Sequence, residues 1–187
     1  MGQIGRERDA QGVVTLWLDN PARRNALDDD MLADMIAILG DLAHDARCRV
    51  IVIRGRGGEF CAGRDVGRAG RAEGASAGEV RMSYEPLRKL AELVAYFPRP
   101  TIAAIEHYAL GAGSALATWC DFAIAADNAV FGYPEVTIGI PPTLTAVSLA
   151  RRVSWKRAVD LLFTGRRFNA ARSEEHTSEL QSRQYLV

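Results

Sequence analysis

Three short apolar runs constrain this chain more than any other feature: RVIVIRG (49–55), PTIAAI (100–105) and CDFAIAA (120–126). Each is too short for a helix and too apolar for a half-exposed strand, so each reads as a strand covered on both faces. Helical patterns separate them. In DDDMLADMIAILGDLAHD, residues Leu32, Met35, Ile36, Leu39 and Leu42 recur at helical spacing behind an aspartate-rich start that suits a helix N-terminus. Leu87, Leu90, Ala91, Val94 and Phe97 form a second stripe, with Pro86 placed in its first turn. Ahead of both, IGRERDAQGVVTLWLDNP reads as a hairpin turning at 9–12, with 13–18 as its second strand. This alternation predicts an α/β fold of stacked β-then-α units. The segment 67–79, small, charged and aperiodic, reads as mobile surface. SWKRAVDLLF, with Ala158, Leu161 and Leu162 on one side, reads as a packing helix.

Composition bounds what such a chain does. Its 187 residues suffice for one domain with a core. A formal net charge of zero gives no electrostatic footprint for nucleic acid or an anionic membrane. Cys48, Cys61 and Cys120 are odd in number and lack metal-ligand spacing, which suits buried thiols in a reducing cytoplasm and no metal site. There is no signal-peptide pattern and no apolar run near 18 residues, so a soluble cytoplasmic protein is expected.

Two glycine-rich loops follow buried strands, and nucleotide binding is the first reading to test. GRGGEFCAG offers Gly55 and Gly57 but Phe60 where a dinucleotide fingerprint needs a third glycine. A phosphate-cradling loop fails as well, because Arg64 and Asp65 follow Gly63 in place of Lys-Ser/Thr. Together, however, this loop and HYALGAGSALATWCDF (107–122) can aim free backbone N–H groups at one point beside the sheet. Two such donors make an oxyanion hole, worth about 2.7–4 kcal/mol per donor in the transition state. A helix starting at Gly111 adds its positive end. The alternative at this point is that the glycines only permit tight turns. Ser114, with His107 and Asp121 near it in sequence, raises a serine hydrolase, but the G-x-S-x-G pattern is absent.

LDNPARRNAL (18–27), GEFCAGRDV (58–66), the whole of 100–140 and FTGRRFNAAR (163–172) resemble the enoyl-CoA hydratase/isomerase family, the crotonase superfamily, in order and spacing. The resemblance implies a crotonase-like repeated ββα superhelix with stacked sheets, and a homotrimer or dimer of trimers for the full-length protein. It implies an acyl-CoA substrate whose carbonyl oxygen is held by the N–H groups of Arg64 and Ala112. Ala26, Ala62, Gly63, Asp65, Val66, Gly111 and Gly113 would bind substrate and CoA, with Arg23 and Arg24 near the CoA phosphates. No separate cofactor is implied, because coenzyme A is part of the substrate.

Hydratases of this family usually carry two glutamates around one water, and here the first position is Ala115 and the second Glu135. One carboxylate suffices to shuttle a proton, and burial in an apolar pocket raises its pKa, which favours proton exchange at neutral pH. Double-bond isomerisation with Glu135 as acid/base is therefore expected, hydration being the alternative and an inactive fragment a further one. His107 reads as a surface or CoA-edge residue, and Trp17 and Trp119 as core. The end of the chain differs in character. Residues 172–187 resemble a translated sequencing adapter, so 1–172 is expected to be the acyl-CoA-binding core and 173–187 a non-native tail. A solvated helix capped through Ser178 and Gln181 is the other reading. Family C-terminal helices are then missing, and apolar surface where they would dock is expected to lie exposed.

Overall fold

The computed structural model describes residues 2–65 and 76–177. Strands β1 (Gln3–Arg8) and β2 (Val13–Asp19) form the expected hairpin, antiparallel from Gln3 opposite Asp19 to Arg8 opposite Val14. Helix α1 (Asp29–His44) follows. Asp28 caps it by accepting from Met31 N at 2.9 Å, and Asp29 and Asp30 lie at the positive end of its dipole. Its stripe of Met31, Leu32, Met35, Leu39 and Leu42 is buried. Strands β3 (Val50–Gly55), β4 (Thr101–Ile105) and β6 (Phe122–Ala125) continue the sheet in parallel, giving the order β1-β2-β3-β4-β6. Parallel neighbours require crossovers, and the helices supply them.

Two expectations are corrected here. Alternate residues of a strand face opposite ways, and in β3 Ile51 and Ile53 are fully buried while Val50 and Val52 are only half-buried. The sheet is covered on one face, and on the other Phe122 and Ile124 of β6 lie exposed. Helix α2 runs Ala77–Ala95, so Pro86 sits in its third turn, not its first. Its start is fixed by a capping box: Ser76 Oγ accepts from Glu79 N at 3.3 Å and Glu79 Oε2 accepts from Ser76 N at 2.8 Å. Of the segment read as mobile surface, 77–79 are helical and 67–75 lie outside the described residues.

A second sheet of three-residue strands, β5 (Tyr108–Leu110), β7 (Val130–Gly132) and β8 (Arg167–Asn169), has the order β5-β7-β8. Helix α3 (Ala112–Trp119) leaves β5 and leads into β6. After β7 come a 3-10 turn (Pro134–Ile138) and helices α4 (Thr143–Leu149) and α5 (Trp155–Thr164). Ala158, Leu161 and Leu162 of α5 are buried as its pattern predicts. Helix α6 (Ala170–Thr177) takes in the start of the polar tail, and the Ser178–Gln181 cap lies outside the described residues. Val147, Trp155 and Phe163 are exposed on this last third of the fold.

Candidate active site

Two single-residue bridges hold the loop after β3, one to β5 just ahead of α3 and the other to Leu27 just ahead of α1. Cys61 pairs with Ala109: Cys61 N donates to Tyr108 O at 2.8 Å and Leu110 N to Cys61 O at 3.0 Å. Leu27 pairs with Arg64: Leu27 N donates to Gly63 O at 2.8 Å and Asp65 N to Leu27 O at 2.9 Å. This parallel pattern uses the groups on either side of Arg64 and leaves its own N–H without a backbone acceptor among the described residues. At Ala112 the reason is different. It is the first residue of α3, whose opening N–H groups have no intrahelical acceptor, and the first bond of the helix is Ala115 N to Gly111 O at 3.0 Å.

The approach of these segments is set by glycine. At Gly63, with φ of +109°, a Cβ would stand 2.8 Å from Leu110 O and 3.6 Å from Ala112 N. The Arg64 amide, one bond beyond Gly63, is thus close to the Ala112 amide. Gly111 adopts φ 52° and ψ −118°, a region that side chains disfavour, while its N–H bonds Gly132 O at 2.8 Å. At Gly113 a Cβ would lie 2.3 Å from Cys61 O.

Glu135 enters from the 3-10 turn. A Cβ on Gly111 would lie 3.4 Å from Glu135 Oε1, which places the carboxylate directly over the glycine turn. Its Oε2 is buried with no hydrogen-bond partner. Burial pushes the carboxyl above its ordinary range, offset in part by its own backbone N–H. The neighbouring Tyr133 hydroxyl, also buried, is pushed up to about 12. Ala115 lies buried in the same wall and contributes only a methyl group.

These groups surround a cavity of about 260 Å³. Ala62, Gly63 and Arg64 line it from the first loop, Gly111, Ala112 and Ala115 from α3, and Glu135 from the 3-10 turn. Sequence reasoning missed the rest of the lining: Ser83, Tyr84 and Leu87 of α2, Trp119 of α3, and Ile138 with 140–145. Nothing in an apolar stripe distinguishes a side chain that packs on its neighbours from one that faces a cavity.

Other candidates lie elsewhere. Gly113 packs on Cys61, and Ala26 is buried beside the Leu27 bridge. Asp65, 7% exposed, accepts from Arg23 at 2.9 Å. Arg24 lies 3.8 Å from Glu59 and over the Tyr108 ring. Val66 is outside the described residues. The serine hydrolase reading is overturned. Ser114 Oγ donates to Ala109 O, Asp121 accepts from Thr101 N and Oγ1 at 2.9 Å, and His107 lies 3.5 Å from Glu59. Among the described residues there is no cluster of three or more metal-ligating side chains and no helix long and apolar enough to cross a membrane.

The model of the enoyl-CoA hydratase/isomerase family matches residues 8–177. An enoyl-CoA hydratase domain-containing protein 2, mitochondrial, of Bos taurus is 37% identical over 88% of this chain and 55% of its own length. A putative enoyl-CoA hydratase of Thermus thermophilus is 38% identical over 82% and 61%. An enoyl-CoA isomerase/hydratase of Mycosarcoma maydis is 37% identical over 88% and 62%. The chain thus spans little more than half the length of the curated relatives it matches. Among solved structures, an enoyl-CoA hydratase of Mycobacterium smegmatis superposes with a TM-score of 0.88 at 32% identity, covering 93% of this chain and 67% of that one. One from Polaromonas gives 0.86 at 35%, covering 93% and 68%. The crotonase-like α/β fold expected from the sequence is the fold these chains share.

Proposed function

The chain belongs to the enoyl-CoA hydratase/isomerase family, and from that membership we propose that it moves a double bond along an acyl-CoA thioester, with Glu135 as the only acid/base. The observation that carries this reading is the pairing of a half-buried Glu135, whose Oε2 is buried without a hydrogen-bond partner, with Ala115 in one cavity wall, beside the uncommitted amides of Arg64 and Ala112. From a 3-enoyl thioester the Glu135 carboxylate takes a proton from C2. The electron pair of the C–H bond delocalises into a dienolate whose negative oxygen accepts from the two amides. The carboxylic acid returns its proton to C4, the double bond settles between C2 and C3, and Glu135 is ionised again. A raised pKa suits both halves of this cycle, because the group must accept and release a proton at neutral pH. No cofactor takes part, coenzyme A being carried by the substrate.

Hydration is the second reading, favoured by the names of the relatives. It requires a water held by Glu135 with backbone groups alone. The test is to supply 3-enoyl-CoA and 2-enoyl-CoA to the full-length protein and to Glu135→Gln. Isomerisation at least tenfold faster than hydration, lost in the variant, is expected. The opposite ratio favours the hydratase. Turnover of neither substrate removes both. The full-length protein is further proposed to assemble as a homotrimer or dimer of trimers, a reading supported by exposed Phe122, Ile124, Trp155 and Phe163.

A further inference from the structure

Helix α3 carries Ala112, Ala115 and Trp119 along one side of the cavity, the last two a single turn apart. Trp119 lies about 10 Å beyond Ala112 along the helix axis, at 1.5 Å per residue. Side chains on a helix lean toward its N-terminus, so the indole covers the turn that Ala115 occupies. Ala115 has only a methyl group and leaves that room open. Tyr84 and Leu87, one turn apart on α2, line the same cavity, and Trp119 is only 5% exposed. Bounded by the described residues, the cavity has a volume of about 260 Å³, below the roughly 300–1,000 Å³ usual for ligand sites.

We propose that Trp119, with Tyr84 and Leu87, caps the acyl end of the site and restricts it to short, unbranched acyl groups of four to six carbons. This rests on the acyl-CoA reading above, with the thioester oxygen at the Arg64 and Ala112 amides. From that anchor the leaning indole leaves about 5 Å, one helical turn less than the axial separation. At roughly 1.2 Å per bond of an extended chain this is room for about four further bonds. The same substitution that removes one carboxylate from the site, Ala115, thereby admits the ring that shortens it. Specificity for chain length and the choice of reaction are coupled through one small residue.

The test is calorimetric titration of the full-length protein with free CoA and with saturated butyryl-, hexanoyl-, octanoyl- and dodecanoyl-CoA, which bind without turnover. Wild type is expected to hold butyryl- and hexanoyl-CoA at least tenfold more tightly than dodecanoyl-CoA. Trp119→Ala is expected to reverse that order, each further methylene admitted adding about fourfold in affinity. Trp119→Leu, a smaller side chain that opens the same end in part while keeping an apolar contact, is the second variant should the first fail to fold, and is expected to narrow the preference for short chains by at least threefold. The wild-type series needs no variant at all. Affinity that rises steadily with chain length in wild type overturns the cap alone, as does an order unchanged in both variants. Failure of every acyl-CoA to bind overturns the acyl-CoA reading and the cap with it.

Discussion

Along the wall that carries the Arg64 and Ala112 amides, the backbone bonds that bring the loop and the start of α3 together join segments distant in sequence: Leu27 to Gly63, Cys61 to Tyr108, Leu110 to Cys61, Gly111 to Gly132. Along the wall that carries Glu135 the bonds are local: Gly139 to Val136, Ile140 to Glu135, Thr143 to Pro141. Val136 and Ile138 there are exposed, while Phe60 and Cys61 are fully buried. The Arg64 and Ala112 amides are thus held by pairing between distant segments. Glu135 rides on one short turn with local backbone bonds, packed against Gly165. On the proposed mechanism, the donor geometry is built from long-range pairing and the proton-carrying group stands on a softer support.

The largest effect expected from breaking this contrast is chemical. Glu135→Gln should lower isomerisation by about 10²–10⁴-fold, the usual range for a general base, measured as kcat/KM on 3-enoyl-CoA. A loss under tenfold would move the base elsewhere. Next comes the rigid wall. Gly113→Ala drives a methyl group to 2.3 Å from the Cys61 carbonyl, which belongs to backbone and cannot swing aside. It should destabilise the fold by about 3 kcal/mol or more in chemical denaturation. The matching change on the softer wall, Gly165→Ala, brings a methyl to 2.9 Å from Thr137 Cγ2 at a φ of +61°. A side-chain tip gives way, so the cost should be about 1–2 kcal/mol, chiefly backbone strain. Equal costs at the two glycines would erase the distinction.

The smallest effect concerns pH. Burial raises the Glu135 pKa in the folded state, so between the ordinary glutamate value and the folded one the native protein binds more protons than the unfolded chain. Stability contributed by this group is therefore full below its unfolded pKa and declines as pH rises through the folded one. Glu135→Gln removes that decline. Its Tm should exceed wild type by about 2–4 °C at pH 8, the shift made by a change of order 1 kcal/mol in a chain this size, and should match wild type at pH 4. A gap independent of pH would assign it to packing. The activity of wild type has the opposite slope, rising with pH as the carboxylate ionises.

Much of this was legible in the sequence. The hairpin, α1 and the parallel strands follow from apolar runs, from helical periodicity and from the aspartate-rich start of α1, because their burial is imposed by the sheet they build. The boundary of α2 was misplaced because Pro86 resembled a first-turn proline, although Ser76 and Glu79 carry the capping-box spacing. Strands β5, β7 and β8 are three residues each, too short for any period to register. At the site, glycine spacing pointed to backbone donors, and the family resemblance singled out Arg64, Ala112 and Glu135, which the structure brings to one cavity. Tyr84, Leu87, Trp119 and the 138–145 wall did not stand out, since hydrophobicity alone cannot separate a cavity lining from a core.

The Leu27–Arg64 bridge has a consequence for how such a chain changes over generations. It fixes an amide, not a side chain, and the same holds at Ala112. Mutation can replace either residue and leave the electrophilic half of the site in place, while Ala115, Trp119 and Glu135 remain open to exchange one at a time. On the proposed function, a lineage built this way can trade one acyl-CoA reaction for another without passing through an unfolded ancestor.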